Sequence, residues 1–387
     1  MVHPPADDTL YPAPDKGYSN SSPSASFRHE LDTRNHTKVG DDWAGGVEPQ
    51  YGVAPRIRVG RNKWFNLLWL IPIGVVLLII GIAVAKGLRE MPAIQDFIKT
   101  YPGTSEQPAG TPVGFPAWLG WQHFLNAFFM IFIIRSGVTI LADHPRLYLT
   151  RHSTPGKDWF RMQKPVPADP LYTAKRDSLT LPDGVGLPGR RHSIGLARWW
   201  HLGIDTLWLA NGIIFFVLLF VTGQWMRLVP TSWDVFPNAL SAGLQYLSLD
   251  WPVEDGWITY NSLQQLAYFA VVFLTAPLAA VTGVRMSGVW PKDAKALNRA
   301  YPIEWARAVH FPVMIFFVLF IIGHVTLVLA TGALHNLNSM FAANGGHGWA
   351  GFWFFAGAML DVAIGWIAAR PLLLAPIARL FGTVSGR

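Results

Sequence analysis

The sequence predicts an all-α, polytopic membrane protein with about six transmembrane helices. Three observations carry that expectation. Only 14% of the 387 residues are charged and 51% are hydrophobic, whereas an ordinary soluble domain is roughly a quarter charged. There are 18 Trp and 24 Phe, a load that suits a chain solvated by lipid. Apolar runs also recur at the length of about 20 residues that one helical crossing requires.

Taken in order, residues 1–63 are rich in Pro, Ser, Asn and Asp and show no hydrophobic period, so they are expected to form a disordered cytoplasmic tail. The first long apolar run begins near Trp64, and insertion is expected to start from that internal segment without a cleavable signal peptide. Six apolar stretches follow, at approximately 64–85, 119–141, 201–224, 263–284, 308–331 and 350–369. They divide the chain into an extra N-terminal span with its outer loop (64–117), a core (118–332), and an extra C-terminal span and tail (333–387). Trp64, Trp69, Trp118, Trp121, Trp199, Trp200, Trp225, Trp349 and Trp366 lie at or near the ends of the stretches, where amphipathic rings favour the headgroup level. Pro72, Pro277 and Pro312 fall inside them, which membrane helices tolerate when neighbours re-satisfy the backbone. Loop 142–198 is too long for a mere connection and is a candidate docking region. The outer loop 227–260 is expected to hold a short helix over Asn238–Leu247.

The net charge of +7 would suggest nucleic acid in a soluble protein, but here it reports orientation, and nucleic acid is set aside as a partner. Of the 31 Lys and Arg, 26 lie in the tail, in loop 142–198, in the fourth-to-fifth loop and at the C-terminal end, and four lie in the alternate loops. By the positive-inside rule both termini are expected in the cytoplasm of a bacterial-type plasma membrane. The absence of cysteine removes disulfides, iron–sulfur ligation, covalent haem attachment through CxxCH and thiolate metal sites. Any redox centre must rest on His or Met.

Eight of the 12 histidines (His3, His29, His36, His144, His152, His192, His335 and His347) fall in the tail or loops and are expected to be solvated. The other four, His123, His201, His310 and His324, lie at the start of or within apolar spans, where an ionisable group is costly and points to function. Any one of them alone would read as a neutral His bonded across helices. The spacing changes that: His310 and His324 are 14 residues apart on one expected helix, about 21 Å of rise with only ~40° of drift around the axis. Both therefore share a face, one near each membrane surface. His123 heads the span that starts outside and His201 the span that starts inside, so the four pair by depth as His123 with His324 and His201 with His310. Two imidazole pairs without thiols fit bis-His ligation of two b-type haems, which would form an electron wire across the bilayer. Zinc is a poor rival with only two ligands per site. Gly137, Gly212, Gly223 and Gly323 could let a porphyrin approach the backbone. Arg135, about 18 Å beyond His123 along its helix, could bind haem propionates or pair with Asp205, and Asp361 could be a buried structural acid.

These residues resemble a family, the bacterial di-haem cytochrome b-561 and nickel-hydrogenase cytochrome b group, which includes the formate dehydrogenase gamma and thiosulfate reductase cytochrome b subunits. The resemblance rests on His123–Gly137 (HFLNAFFMIFIIRSG), ADHPRLY at Ala142–Tyr148, the span from His201 through LANGIIFFVLLFVTGQWMRLVP, YNSLQQLAY at Tyr260–Tyr268 and the His310/His324 helix. It covers about residues 118–332 and implies a four-helix di-haem core that carries electrons between the quinone pool and a peripheral oxidoreductase, such as a molybdopterin enzyme or a hydrogenase. Asn261 and Gln264 are similar in position to residues that border the quinone site in the formate dehydrogenase relatives, although a simple polar helix start explains them nearly as well. On this reading quinone meets the His123–His324 haem, and the partner docks near the His201–His310 haem and loop 142–198. The extra first and last spans depart from the pattern, and the charge-derived topology is opposite to that of the formate dehydrogenase relatives. A haem-free transporter or proton relay through Arg135, Asp205, Asp361 and the histidines is a competing expectation, as is a cofactor-free membrane anchor.

Overall fold

The apolar stretches become helices in the computed structural model, which describes residues 55–60, 63–143, 146–148, 158–161, 178–180, 193–251, 255–291 and 293–385. Strands β1 (Arg56–Arg58) and β2 (Trp64–Asn66) lead through a tight turn at Leu67–Trp69, where the Asn66 side chain accepts from the Leu68 N–H, into helix α1 (Leu70–Arg89) and then α2 (Pro92–Thr100). Helix α3 (Ala117–Asp143) is followed by strands β3 (Arg146–Tyr148), β4 (Asp158–Arg161), β5 (Ser178–Thr180) and β6 (Ser193–Gly195). Helix α4 (Leu196–Val221) and the short α5 (Val235–Leu247) come next. Helix α6 (Ser262–Phe269) widens into a π-type turn at Ala270–Thr275 before α7 (Ala276–Met286). Pro277 supplies the reason: it has no N–H to give, and its ring crowds the carbonyl one turn earlier, so the ladder opens ahead of it. The chain ends with α8 (Lys295–Ala300), α9 (Ile303–Ala330), α10 (Ala333–Phe341), α11 (Ala350–Ala368), α12 (Pro371–Arg379) and β7 (Thr383–Ser385).

Six helical segments are long and apolar enough to cross a membrane: Leu67–Arg89, Ala117–Leu141, Leu196–Val221, Ser262–Met286, Ile303–Ala330 and Ala350–Ala368. Four of them form the core. α3 packs along α4 and α7 packs along α9, and the two pairs meet in one apolar cluster of Met130, Val313 and Phe317, with Ile134, Trp208, Val271 and Ala279 around it. That cluster draws on all four spans, and on α9 it lies between His310 and His324.

The first and last spans are attached differently. In the most apolar window of the first span no residue is buried; α1 touches the rest of the protein where Arg89 meets the Asp250 carboxylate at 2.6 Å and the Ser248 hydroxyl at 2.7 Å. α11 packs closely: Gly351 lies against the Asn338 backbone of α10, and Gly365 leaves room for the rings of Phe128 and Phe132 on α3.

Two small antiparallel sheets, ordered β2-β1-β4-β3 and β6-β5-β7, gather at the end of the bundle where α3 finishes and α4 begins. Ile57 pairs with Phe65 on one side and Phe160 on the other. Arg56–Arg58, near the end of the expected disordered tail, is therefore strand, because Ile57 pairs between Phe65 of β2 and Phe160 of β4. Residues 1–54 and most of loop 142–198 lie outside the described residues. The short helix expected at Asn238–Leu247 is α5, which begins slightly earlier, at Val235.

Candidate cofactor-binding site

Helix α3 carries His123 near its start and Ser136 and Gly137 near its end; α4 carries His201 one turn in; α9 carries His310 and His324. The four rings are half-buried; the rings of His123 and His324 lie together, and His201 and His310 lie toward the other end of the core helices.

At one level the ring centroids of His123 and His324 are 6.1 Å apart, with planes inclined by 56°. A single metal bound by one nitrogen of each ring at about 2 Å would hold the centroids roughly 6 Å apart. His324 lies parallel to Phe320 at 5.6 Å and edge-on to Tyr268 at 6.1 Å, and Phe341 of α10 closes over His123 at 6.1 Å. His123 Nδ1 is buried without a hydrogen-bond partner among the described residues, which is the kind of orphaned group that a bound cofactor or its trapped water explains.

At the other level stand His201 of α4 and His310 of α9. Each is braced in the same way. The Ser136 hydroxyl is 2.8 Å from His201 Nδ1, and the Thr282 hydroxyl is 2.8 Å from His310 Nδ1. A Cβ added at Gly137 would lie 3.5 Å from His201 Cε1, and one at Gly283 would lie 3.7 Å from His310 Cε1. A hydroxyl–glycine pair on α3 thus cradles the histidine of α4, and one on α7 cradles the first histidine of α9. Asp205, one turn beyond His201, places Oδ2 3.6 Å from His201 Nε2.

The donor set can be tested against the candidate cofactors. No group of three or more His, Cys, Asp or Glu among the described residues could hold a metal ion, so a bare tetrahedral ion lacks its ligands. The imidazole pairs His123 with His324 and His201 with His310 would suit a haem iron, which would need no further protein ligand.

Other expected site residues lie elsewhere or act differently. Arg135 stacks over Trp366 of α11 at 4.2 Å and donates to the Trp366 carbonyl, so it clamps the last span and does not pair with Asp205. Asp361 is exposed and not a buried acid; it lines a cavity of about 400 Å³ with Phe124, Phe128 and Ile364, between α3 and α11. Asn261 and Gln264 form a reciprocal cap: the Asn261 side chain accepts from the Gln264 N–H at 2.7 Å, and the Gln264 side chain accepts from the Asn261 N–H at 3.1 Å. Asn261 is fully buried and also donates to the Tyr246 hydroxyl at 3.0 Å. Of the loop histidines, His335 is not simply solvated; its Nε2 is 2.8 Å from Asp255 Oδ1, and its ring packs on His347. Gly223 serves a turn, with φ +72°, and is not a point of porphyrin approach.

Ser136, Thr282 and Gly283 escape a reading of the sequence because their pattern is common. Thr222–Gly223 and Thr331–Gly332 carry the same pair, yet they sit at helix ends where glycine takes positive φ.

A family model for prokaryotic cytochrome b561 matches residues 114–343, a stretch that contains all four core spans and all four intramembrane histidines. The chain belongs to the prokaryotic cytochrome b561 family, and it is a multi-pass membrane b-type cytochrome of electron transfer. No curated protein and no solved structure matches it.

Proposed function

We propose that the protein holds two b-type haems, one between His123 and His324 and one between His201 and His310, and passes electrons between the quinone pool and a partner oxidoreductase such as a molybdopterin enzyme. The observation that carries this reading is the placement of four imidazoles from three helices in two facing pairs at two levels of the bundle. Haem iron, when bound, supplies a reversible one-electron couple whose potential follows its ligands and their hydrogen bonds. The protein's own residues fix the ring planes, shut water out with Phe320, Phe341 and Tyr268, and keep the two levels apart with the Met130–Val313–Phe317 cluster.

The His123–His324 level is the proposed quinone end. Asn261 and Gln264 contribute there through the helix start that they cap, since α6 brings Tyr268 edge-on to His324. The His201–His310 level is the proposed partner end. Its support is β4 in loop 142–198, which lays Trp159 and Phe160 on Phe311, next to His310, at 6.0 and 4.4 Å between centroids. A partner docked on that loop would stand one aromatic layer from the histidine pair. With both termini cytoplasmic, the partner would be a cytoplasmic one. The domain limits 64–117, 118–332 and 333–387 are proposed on the same basis.

The test is a dithionite-reduced minus air-oxidised visible spectrum of the purified protein, with haem counted as its pyridine haemochrome. We expect a b-type α band and two haems per chain, with one lost from His201→Ala and the other from His123→Ala. A haem-free protein, expressed with ample haem supply, would overturn the proposal in favour of a transporter or an anchor.

A further inference from the structure

Resting on the two-haem reading, we infer that the Ser136 and Thr282 hydroxyls are positioning residues for the His201–His310 haem alone: they hold both histidines in the Nδ1–H form and set how strongly those rings donate to iron. A hydroxyl has a single hydrogen. Ser136 Oγ lies 2.7 Å from the Phe132 carbonyl and 3.0 Å from the Ile133 carbonyl, and Thr282 Oγ1 lies 2.7 Å from the Leu278 carbonyl and 3.0 Å from the Ala279 carbonyl. Carbonyls only accept, so each hydroxyl hydrogen is already committed to its own helix. Toward the imidazole, the oxygen is therefore an acceptor, and Nδ1 of His201 and of His310 must carry the proton. Nε2 is left as the lone pair of each ring.

Both hydroxyls are shielded from bulk water, Ser136 being 4% and Thr282 1% exposed. The other level is built differently. His123 Nδ1 has no hydrogen-bond partner among the described residues, and the neighbours of His324 are the rings of Phe320 and Tyr268. Accepting a hydrogen bond from the remote N–H of a ligand imidazole makes the ring more basic and favours the oxidised metal. Removing the acceptor should raise the midpoint potential, and here it should do so for one haem of the two.

The experiment uses the full-length protein in detergent, with haem quantified and midpoint potentials measured by spectroelectrochemistry for Ser136→Ala, Thr282→Val and their combination. Ser136→Thr and Thr282→Ser keep the hydroxyls. Thr326→Val, whose hydroxyl donates to the Ile322 carbonyl of its own helix, is the control. We expect one α-band component to shift to higher potential in Ser136→Ala and in Thr282→Val, and further in the double variant, while the second component stays in place and the hydroxyl-retaining variants match wild type. Selective loss of that one haem in Ser136→Ala or Thr282→Val, with Ser136→Thr and Thr282→Ser still holding two, supports the same role. Equal shifts of both components, no shift in either, or the same shift in Thr326→Val would overturn it. Fewer than two haems in the wild-type protein would overturn the underlying reading instead, a result visible before any variant is made.

Discussion

Arg227 follows the third span and is only 2% exposed. Its guanidinium donates to the carbonyls of Gly114, Trp257 and Gly256 at 2.9, 3.3 and 2.6 Å, and it lies between the rings of Phe115 and Tyr260 at 4.8 and 4.7 Å. One side chain thereby ties three segments over the His123–His324 end. The planar fork suits this task, since it reaches several carbonyls while its faces stack on aromatics. Burial pushes the Tyr260 phenol above its ordinary range, and the nearby guanidinium works against that rise. Arg227→Ala would take a donor from three carbonyls, of which Trp257 keeps the Gly114 N–H and Gly114 the Gln224 amide, and would open a gap between two rings, a loss of about 2 to 4 kcal/mol. We expect a clear drop in the thermal unfolding midpoint in detergent, and Arg227→Lys to recover only a part of it. A midpoint equal to wild type in Arg227→Ala would show that the clamp is dispensable. In the sequence this residue is merely one of few cations in the outer loops; its role depends on carbonyls that only the folded turn brings together.

Among the elements, the spans were legible because lipid imposes a long apolar run on each of them, and the expected stretch 350–369 differs from the helix Ala350–Ala368 by a single residue. What periodicity could not show is how the helices touch. Gly351 and Gly74 look alike in an apolar run, but a Cβ at Gly351 would collide with the Asn338 backbone, whereas one at Gly74 would meet nothing within 4 Å. Backbone cannot step aside as a flexible side chain can, so Gly351→Ala should separate α10 from α11 at a cost of about 1 to 3 kcal/mol. Gly74→Ala should leave stability unchanged or raise it slightly, since alanine is the better helix former. Thermal unfolding of the two variants side by side checks both statements, and equal midpoints would contradict the close approach. The same logic separates the histidines from their supports. A His in a lipid-facing run is conspicuous by its cost, while Ser136 and Thr282 bond back to their own helices, as hydroxyls in membrane helices commonly do, and only the facing ring reveals their second contact.

Across the whole molecule, six candidate spans, if each crosses once, would leave both ends on one side of the membrane, and the charge count predicts the cytoplasmic side. The family match at 114–343 leaves out both α1 and α11, and these two are attached in opposite ways: α11 is locked to α3 through Gly365 and Arg135, whereas no residue in the apolar window of α1 is buried. An added leading span inverts the core relative to a four-span arrangement that starts on the same side. The strand-rich end of the molecule, with loop 142–198 and the His201–His310 pair, would then face the cytoplasm. Fusing a fluorescent protein that matures only in the cytoplasm, or a phosphatase active only outside it, after Arg387 tests this directly. We expect fluorescence without phosphatase activity, and the reverse for phosphatase fused within 227–260, a loop on the opposite side with a single Lys or Arg. The opposite pattern would put the proposed partner end outside the cytoplasm, so that on the two-haem proposal electrons would cross the bilayer in the reverse geometric sense between the same two histidine pairs.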